Sequence, residues 1–182
     1  MSGMPVVALC SCRKDHDLFD ALYRALSQNG GVQSFCRNEL KSSCESPFFS
    51  LCHTSCVPHT YGITGVLVFD DGFKSGGSFE LSETLIPVLD SDNKKALSRL
   101  KEAGRVAITC GTGSRDTLSI ASISESRATV SLQRELIDIY GNRVEPRDII
   151  VTFENRMEVY PLLATCAALL LCGAEPDGGY AL

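Results

Sequence analysis

Tyr61-Gly62-Ile63-Thr64-Gly65-Val66-Leu67-Val68-Phe69 is the stretch on which the reading of the fold turns. Gly62 to Phe69 is apolar and rich in β-branched residues, which suits a core strand. Asp70-Asp71-Gly72 follows with the Asp-Gly composition of a tight turn. The sequence therefore predicts a hairpin whose second arm covers residues 73–81, with Gly76 and Gly77 marking a bulge or close backbone approach.

Upstream, Val6 to Cys12 is a short apolar run without helical period and predicts a first strand. Asp15 or Asp17 then caps a helix bearing Leu18, Phe19, Leu22 and Leu26 on one face, which stops at Asn29-Gly30-Gly31. Residues 31–45 are polar and mixed and read as a loop or insertion. Ser46-Pro47 resembles an N-cap followed by proline at the first helical position, so a short helix is expected to Cys56, ended by Pro58.

Downstream, Ser82, Leu85, Val88 and Leu89, then Asp92, Ala96, Leu97, Leu100 and Ala103, recur three or four apart and predict a helical stretch interrupted near residues 90–92 and closed by Gly104. Arg105 to Cys110 and Thr117 to Ser124 predict a second hairpin around residues 111–116. Leu132 to Tyr140 reads as a helix and Asp148 to Phe153 as a strand. Pro161 to Cys172 predicts a helix apolar on all sides, which must be covered by the chain's own sheet or by a partner. Residues 175–182 read as a flexible tail.

These elements predict one α+β domain over residues 1–174, with a ferredoxin-like mixed or antiparallel sheet and helices on one face. Its core covers about residues 5–124, with 13–45 inserted and a C-terminal α/β extension over 125–174.

The bulk composition narrows the function. The chain has 182 residues, 44% hydrophobic, with a net charge of −5 and a pI near 5.2. No basic block is present, which argues against nucleic acid or anionic membrane as a partner. The longest apolar run is shorter than the roughly 17 to 25 residues that span a bilayer. The cysteines number nine, an odd count in a chain without the charged and apolar regions of a signal peptide, so a reducing, cytoplasmic setting is expected.

Several residues are candidates for chemistry. Cys44, Cys52, Cys56 and His59 form the densest set of metal-ligand types, the number that tetrahedral zinc needs, but they lack a Cys-x2-Cys pair. Their competing reading is small core and surface residues, so no metal is assigned. Gly111-Thr112-Gly113-Ser114-Arg115 offers amides and a cation to an anion, yet it lacks the phosphate-loop pattern. A cysteine nucleophile would need one of His16, His53 or His59 as its base, which sequence does not show.

The strand beginning Gly62-Ile63-Thr64-Gly65, its Asp71-Gly72 turn, the Val6 to Cys12 strand, the Pro47 to Cys56 helix and the helix from Ser82 together resemble the BLUF family of blue-light sensors that use a flavin. The resemblance covers about half the chain and implies the ferredoxin-like core. It also implies a Tyr on the first strand, an Asn before the Ile-Thr-Gly run and a Gln on the third strand to hold the flavin. This sequence has Leu9 and Cys10, then Val57, Pro58 and His59, and finally Ser75, Gly76 and Gly77 at those places. No cofactor is therefore assigned, and the family scaffold is expected without its photochemistry. The leading expectation is a non-catalytic interaction or assembly module, binding a protein partner or its own copy through the apolar C-terminal segment and the inserted loop. The resemblance suggests a cytoskeletal, axonemal or flagellar assembly. The alternatives are a flavin- or small-ligand-binding sensor and a cysteine-dependent enzyme.

Overall fold

A computed structural model describes residues 3–12, 17–73, 79–175 and 178–182. The second arm expected over residues 73–81 falls partly outside them, as do Gly76, Gly77, Asp15 and His16.

In chain order the elements are β1 (Val6–Cys10), α1 (Asp17–Gln28), β2 (Val32–Cys36), β3 (Glu39–Ser42), β4 (Phe49–Thr54), β5 (Gly65–Phe69), β6 (Leu85–Asp90) and α2 (Lys94–Glu102). There follow β7 (Ile108–Gly111), β8 (Leu118–Ile123), β9 (Arg127–Leu132), β10 (Leu136–Ile137), β11 (Arg143–Val144), β12 (Arg147–Thr152), α3 (Val159–Leu171) and β13 (Tyr180–Ala181). Strands β10 and β11 pair alone; the others form an eleven-stranded sheet in the order β3-β2-β4-β1-β5-β6-β7-β8-β9-β12-β13. From β2 to β8 every neighbouring pair is parallel. Antiparallel pairing is confined to β3 at one margin and to β9 with its neighbours at the other.

Parallel strands need cover on both faces. Val7, Leu9, Val66, Val68 and Val88 point to the face that carries α1 and α3. Ala8, Cys10, Leu67, Phe69, Leu85 and Leu89 point to the other, where α2 contributes Ala96 and Leu100. The mixed α and β composition is as expected. The ferredoxin-like arrangement with helices on one face is corrected: the sheet is larger, mostly parallel, and has helices on both faces.

Three expected helices are strands. The expected helix over residues 47–56 is replaced by β4 (Phe49–Thr54), because Phe49 and Leu51, two apart, are the buried positions and its neighbours β1 and β2 supply parallel partners. Residues 85–90 form β6, whose helical-looking spacing arises from burial on both faces. Pro87 is tolerated there because it lies opposite Leu67 of β5, while pairing with β7 begins only at Val88, so no ladder donor is lost. Residues 132–140 contain the end of β9 and β10. The helix near 92–103 does form, capped by Asn93, whose Oδ1 accepts from the Ala96 N–H at 3.1 Å.

Among the described residues neither expected hairpin forms. The turn after β5 is made, with the Phe73 N–H donating to the Asp70 carbonyl at 3.0 Å, but β5 runs parallel to the next strand, β6. Strands β7 and β8 are likewise parallel. A hairpin occurs where a loop was expected, between β2 and β3. Arg37 and Asn38 take φ values of 48° and 66°, the two left-handed residues of a type I′ turn.

The apolar helix α3 is covered by the chain itself. Tyr160 and every residue from Leu162 to Leu171 are buried. The sheet lies on one side, α1 beside it, and Leu136, Tyr180 and Leu182 belong to the same core. The apolar C-terminal segment is thus not left open, its helix being packed in the chain's own core. Nor do the last residues hang free, since β13 pairs with β12.

Arg105 fastens the approach to β6. Its guanidinium donates to the carbonyls of Leu81, Ser82, Glu83 and Leu85 at 3.1, 2.7, 3.3 and 2.8 Å. Arg105→Ala is expected to cost about 2 to 3 kcal/mol in urea unfolding, because charged hydrogen bonds are lost and carbonyls stranded. Arg105→Lys should recover little, since one ammonium cannot span four carbonyls.

Candidate functional site

The carboxyl ends of the parallel strands gather polar residues. Strand β1 ends into Ser11, β5 into Asp70 and Asp71, and β6 at Asp90. The chain leaves β1 through α1 on one face and moves toward β2. It leaves β5 past Phe73, on the other face, and moves toward β6. Adjacent strands that depart in opposite directions leave a crevice between their carboxyl ends, where open α/β sheets place their ligands.

Ser11 and Asp70 meet in that crevice, 59 residues apart in sequence, with the Ser11 hydroxyl donating to Asp70 Oδ2 at 3.0 Å. Asn93 Nδ2 donates to the Asp70 carbonyl at 3.3 Å and to that of Phe73 at 3.4 Å, fixing the turn. The Tyr160 hydroxyl, at the start of α3, donates to the Phe69 carbonyl. A cavity of about 50 Å³ lies among Leu9, Ser11, Asp17, Asp70, Glu158 and Tyr160. Burial raises the Asp90 carboxyl above the usual carboxylate range, with neighbouring acids adding to it. Burial and nearby negative groups push the Tyr160 phenol well up too, so it serves as a hydrogen-bond donor.

The sequence reading missed Ser11, Asp70 and Tyr160. A signal was present: three apolar runs, 6–10, 65–69 and 85–89, each pass directly into a polar residue. That is the pattern of parallel strands with aligned carboxyl ends.

The candidate metal ligands are not brought together. The Cys44 thiol lies against Gly31, beside the start of β4, whereas Cys56 and His59 follow its end. Six strand residues separate the two places by about 20 Å. Cys52 packs on the α2 face, while His53 turns to the α1 face, edge-on to Phe19 at 6.3 Å between centroids. Among the described residues no group of three or more His, Cys, Asp or Glu side chains is placed to hold a metal ion.

The turn after β7 is closed on itself. Asp116 Oδ2 accepts from the Gly113 N–H at 2.9 Å, and a Cβ at Gly111 would lie 2.4 Å from the same oxygen. A carboxylate therefore occupies the place an anion would take. The thiols of Cys10, Cys166 and Cys172 are each pushed up to about 12, chiefly by burial, and Cys110 is raised well above its ordinary value for the same reason. Neutral buried thiols are poor nucleophiles. Among the described residues no helix is long and apolar enough to cross a membrane.

No protein-family model and no curated protein matches this sequence. Among solved structures the chain is similar to one described as the structure of UDP-N-acetylmuramoyl-L-alanyl-D-glutamate–2,6-diaminopimelate ligase. The TM-score is 0.52 and the identity 10%, over 94% of this chain and 43% of that one. The chain thus spans less than half the length of that protein. At such low identity the likeness is one of fold, and it extends over nearly the whole mixed α/β sheet described above.

Proposed function

We propose that this chain is a non-catalytic assembly module whose outer strand, β3, pairs with the same strand of a second copy. The observation that carries the reading is the chemistry of that edge. In a two-residue hairpin the residues flanking the turn bond to each other, and bonded pairs then alternate. The Ser43 N–H donates to the Val32 carbonyl at 2.9 Å, which fixes the alternation. The N–H and C=O of Leu40 consequently point away from β2, to the margin of the sheet.

A two-fold antiparallel pairing centred on Leu40 lets the two Leu40 residues exchange both bonds. It sets Glu39 of each copy opposite Lys41 of the other, so charges match only in this register. Leu40 is 65% exposed and lies opposite Phe35, itself 49% exposed. Pairing doubles that apolar patch. The charges on so short an edge also oppose open-ended pairing with other strands.

Lys41→Glu sets like charges opposite each other across the joint and should weaken the dimer about tenfold or more. Adding Glu39→Lys restores opposite charges and should restore the dimer. Sedimentation equilibrium reads both results. A Lys41→Glu chain that associates as tightly as the parent would rule out this edge.

A second reading, a small-ligand-binding domain, is favoured by the Ser11–Asp70 crevice at the place where the chain reverses direction across the sheet. Visible absorbance at the flavin bands in freshly purified protein would support it over the assembly module.

A further inference from the structure

We propose that Cys12 and Cys56 are a redox pair that closes into a disulfide across the carboxyl ends of β1 and β4. The register of the two strands brings together the residues that precede them. Cys10 lies opposite Thr54, and the Ser11 N–H continues the ladder by donating to the Thr54 carbonyl at 2.9 Å. Cys12 and Cys56 each stand two residues beyond that pair. At their paired ends the strands lie about 4.8 Å apart, inside the Cα separation that a disulfide bridges; Cys56 lies in the bend that follows β4, its N–H donating to Thr54 Oγ1 at 3.3 Å.

The side chains are disposed accordingly. The Cys12 thiol donates to the Ser55 carbonyl at 3.2 Å, the carbonyl bonded to the nitrogen of Cys56. The Cys56 Sγ lies 4.0 Å from Thr54 Oγ1. Both thiols are close enough to Cys10 to add to the rise in its pKa. Cys12 and Cys56 are exposed, while Cys10 is buried, so an oxidant reaches the outer two and not the third. The remaining thiols that are not fully buried lie elsewhere: Cys36 at the end of β2, opposite Glu39, Cys44 against Gly31, and Cys52 packed on the α2 face.

Hydrogen peroxide supplies the oxidising equivalents. One thiolate attacks a peroxide oxygen, the O–O bond breaks, and hydroxide leaves and takes a proton to become water. The resulting sulfenic acid is then attacked by the second thiolate, the S–O bond breaks, and a second water departs. Two thiols are oxidised by two electrons and the peroxide is reduced to water. The bond ties the residue after Ser11 to the end of β4, so oxidation braces the crevice in which Ser11 meets Asp70.

The test is to treat the whole chain with one equivalent of hydrogen peroxide at neutral pH, block the free thiols, and map the non-reduced peptides by mass. The expected product is a monomer lighter by two hydrogens, with the Cys12 and Cys56 peptides linked, reversed by dithiothreitol and melting at a higher temperature than the reduced form. Cys12→Ser and Cys56→Ser should each abolish the link and the rise in melting temperature. The double variant Cys36→Ser, Cys44→Ser should keep both. Links through other cysteines in similar yield, links between chains, or sulfinic acid at Cys12 or Cys56 without a link would each overturn the proposal. Circular dichroism of each variant before oxidation confirms that a folded chain is being read.

Discussion

Gly65→Ala should destabilise the protein by about 4 kcal/mol or more, enough to abolish folding in many domains of this size. A Cβ at Gly65 would lie 2.2 Å from the carbonyl oxygen of Val6. That oxygen belongs to the backbone of β1, and Val6 is the residue registered opposite Gly65. The other side gives no relief, since the Gly65 N–H is bonded to the Thr84 carbonyl at 3.1 Å and Leu85 is its partner in β6. A methyl group there forces two central strands apart. Gly62 is a contrasting case in the same run: its φ of +65° favours glycine, but nothing lies within 4 Å of its would-be Cβ. Gly62→Ala should therefore cost only about 1 kcal/mol. Urea unfolding of the two variants, or soluble yield where Gly65→Ala does not fold, checks the pair. Equal losses would contradict the parallel β1–β5 contact.

Alkaline pH should unfold the protein with unusual steepness. The thiols of Cys10, Cys166 and Cys172 ionise at about 9 when free in water and at about 12 in the folded chain. Burial holds them protonated in the native state, so above pH 9 the unfolded chain releases protons that the native chain keeps. Their stabilisation is intact below pH 9 and is lost as pH climbs toward 12. Each such thiol removes about 1.4 kcal/mol per pH unit within that window. Three together approach the whole stability of a typical domain over two units. Cys110, Tyr160 and Tyr180 are raised as well and act with the same sign. Urea midpoints followed across this window measure the slope. Cys166→Ala, which keeps a small apolar side chain in α3, should reduce it by about one thiol's share. An unchanged slope would show that Cys166 does not remain protonated in the folded state.

Several elements were legible in the sequence, β1, α1, β5, α2, β7, β8, β12 and α3 among them, and β2, β3, β4, β6 and β9 were not. Helix α1 has one apolar face and glycines at its end, so its period and its stop are local facts. Helix α3 is long and apolar, and β1 and β12 are bounded by charges and turns. Strand β6 lies inside a parallel sheet and is buried on both faces. It shows no alternation, and Leu85, Val88 and Leu89 imitate a helical face. Strand β4 was obscured by Ser46-Pro47, a local helix-start pattern overruled by partners on both sides. The hairpin of β2 and β3 rests on left-handed Arg37 and Asn38, residues that do not announce a turn as Asn-Gly does. Asp70-Asp71-Gly72 did announce one, but a turn does not reveal whether the following strand returns beside the first or crosses to run parallel. That difference separates the ferredoxin-like expectation from the fold that forms. It also hid the crevice, since Ser11 and Asp70 become neighbours only once β1 and β5 are known to be parallel.

The dimer contact proposed for the β2–β3 hairpin rests on the same architecture. Every inner strand has a partner on each side, and β3 is the margin beyond β2. The sheet's other margin is β13, two residues long; the proposed dimer uses β3. The native mass of the purified chain, followed by sedimentation equilibrium over a range of concentrations, tests this most directly. The expected species has twice the 19.7 kDa chain mass, reduced to one copy by Lys41→Glu and recovered by adding Glu39→Lys. A single-copy mass at every concentration, or a dimer indifferent to both substitutions, would contradict it.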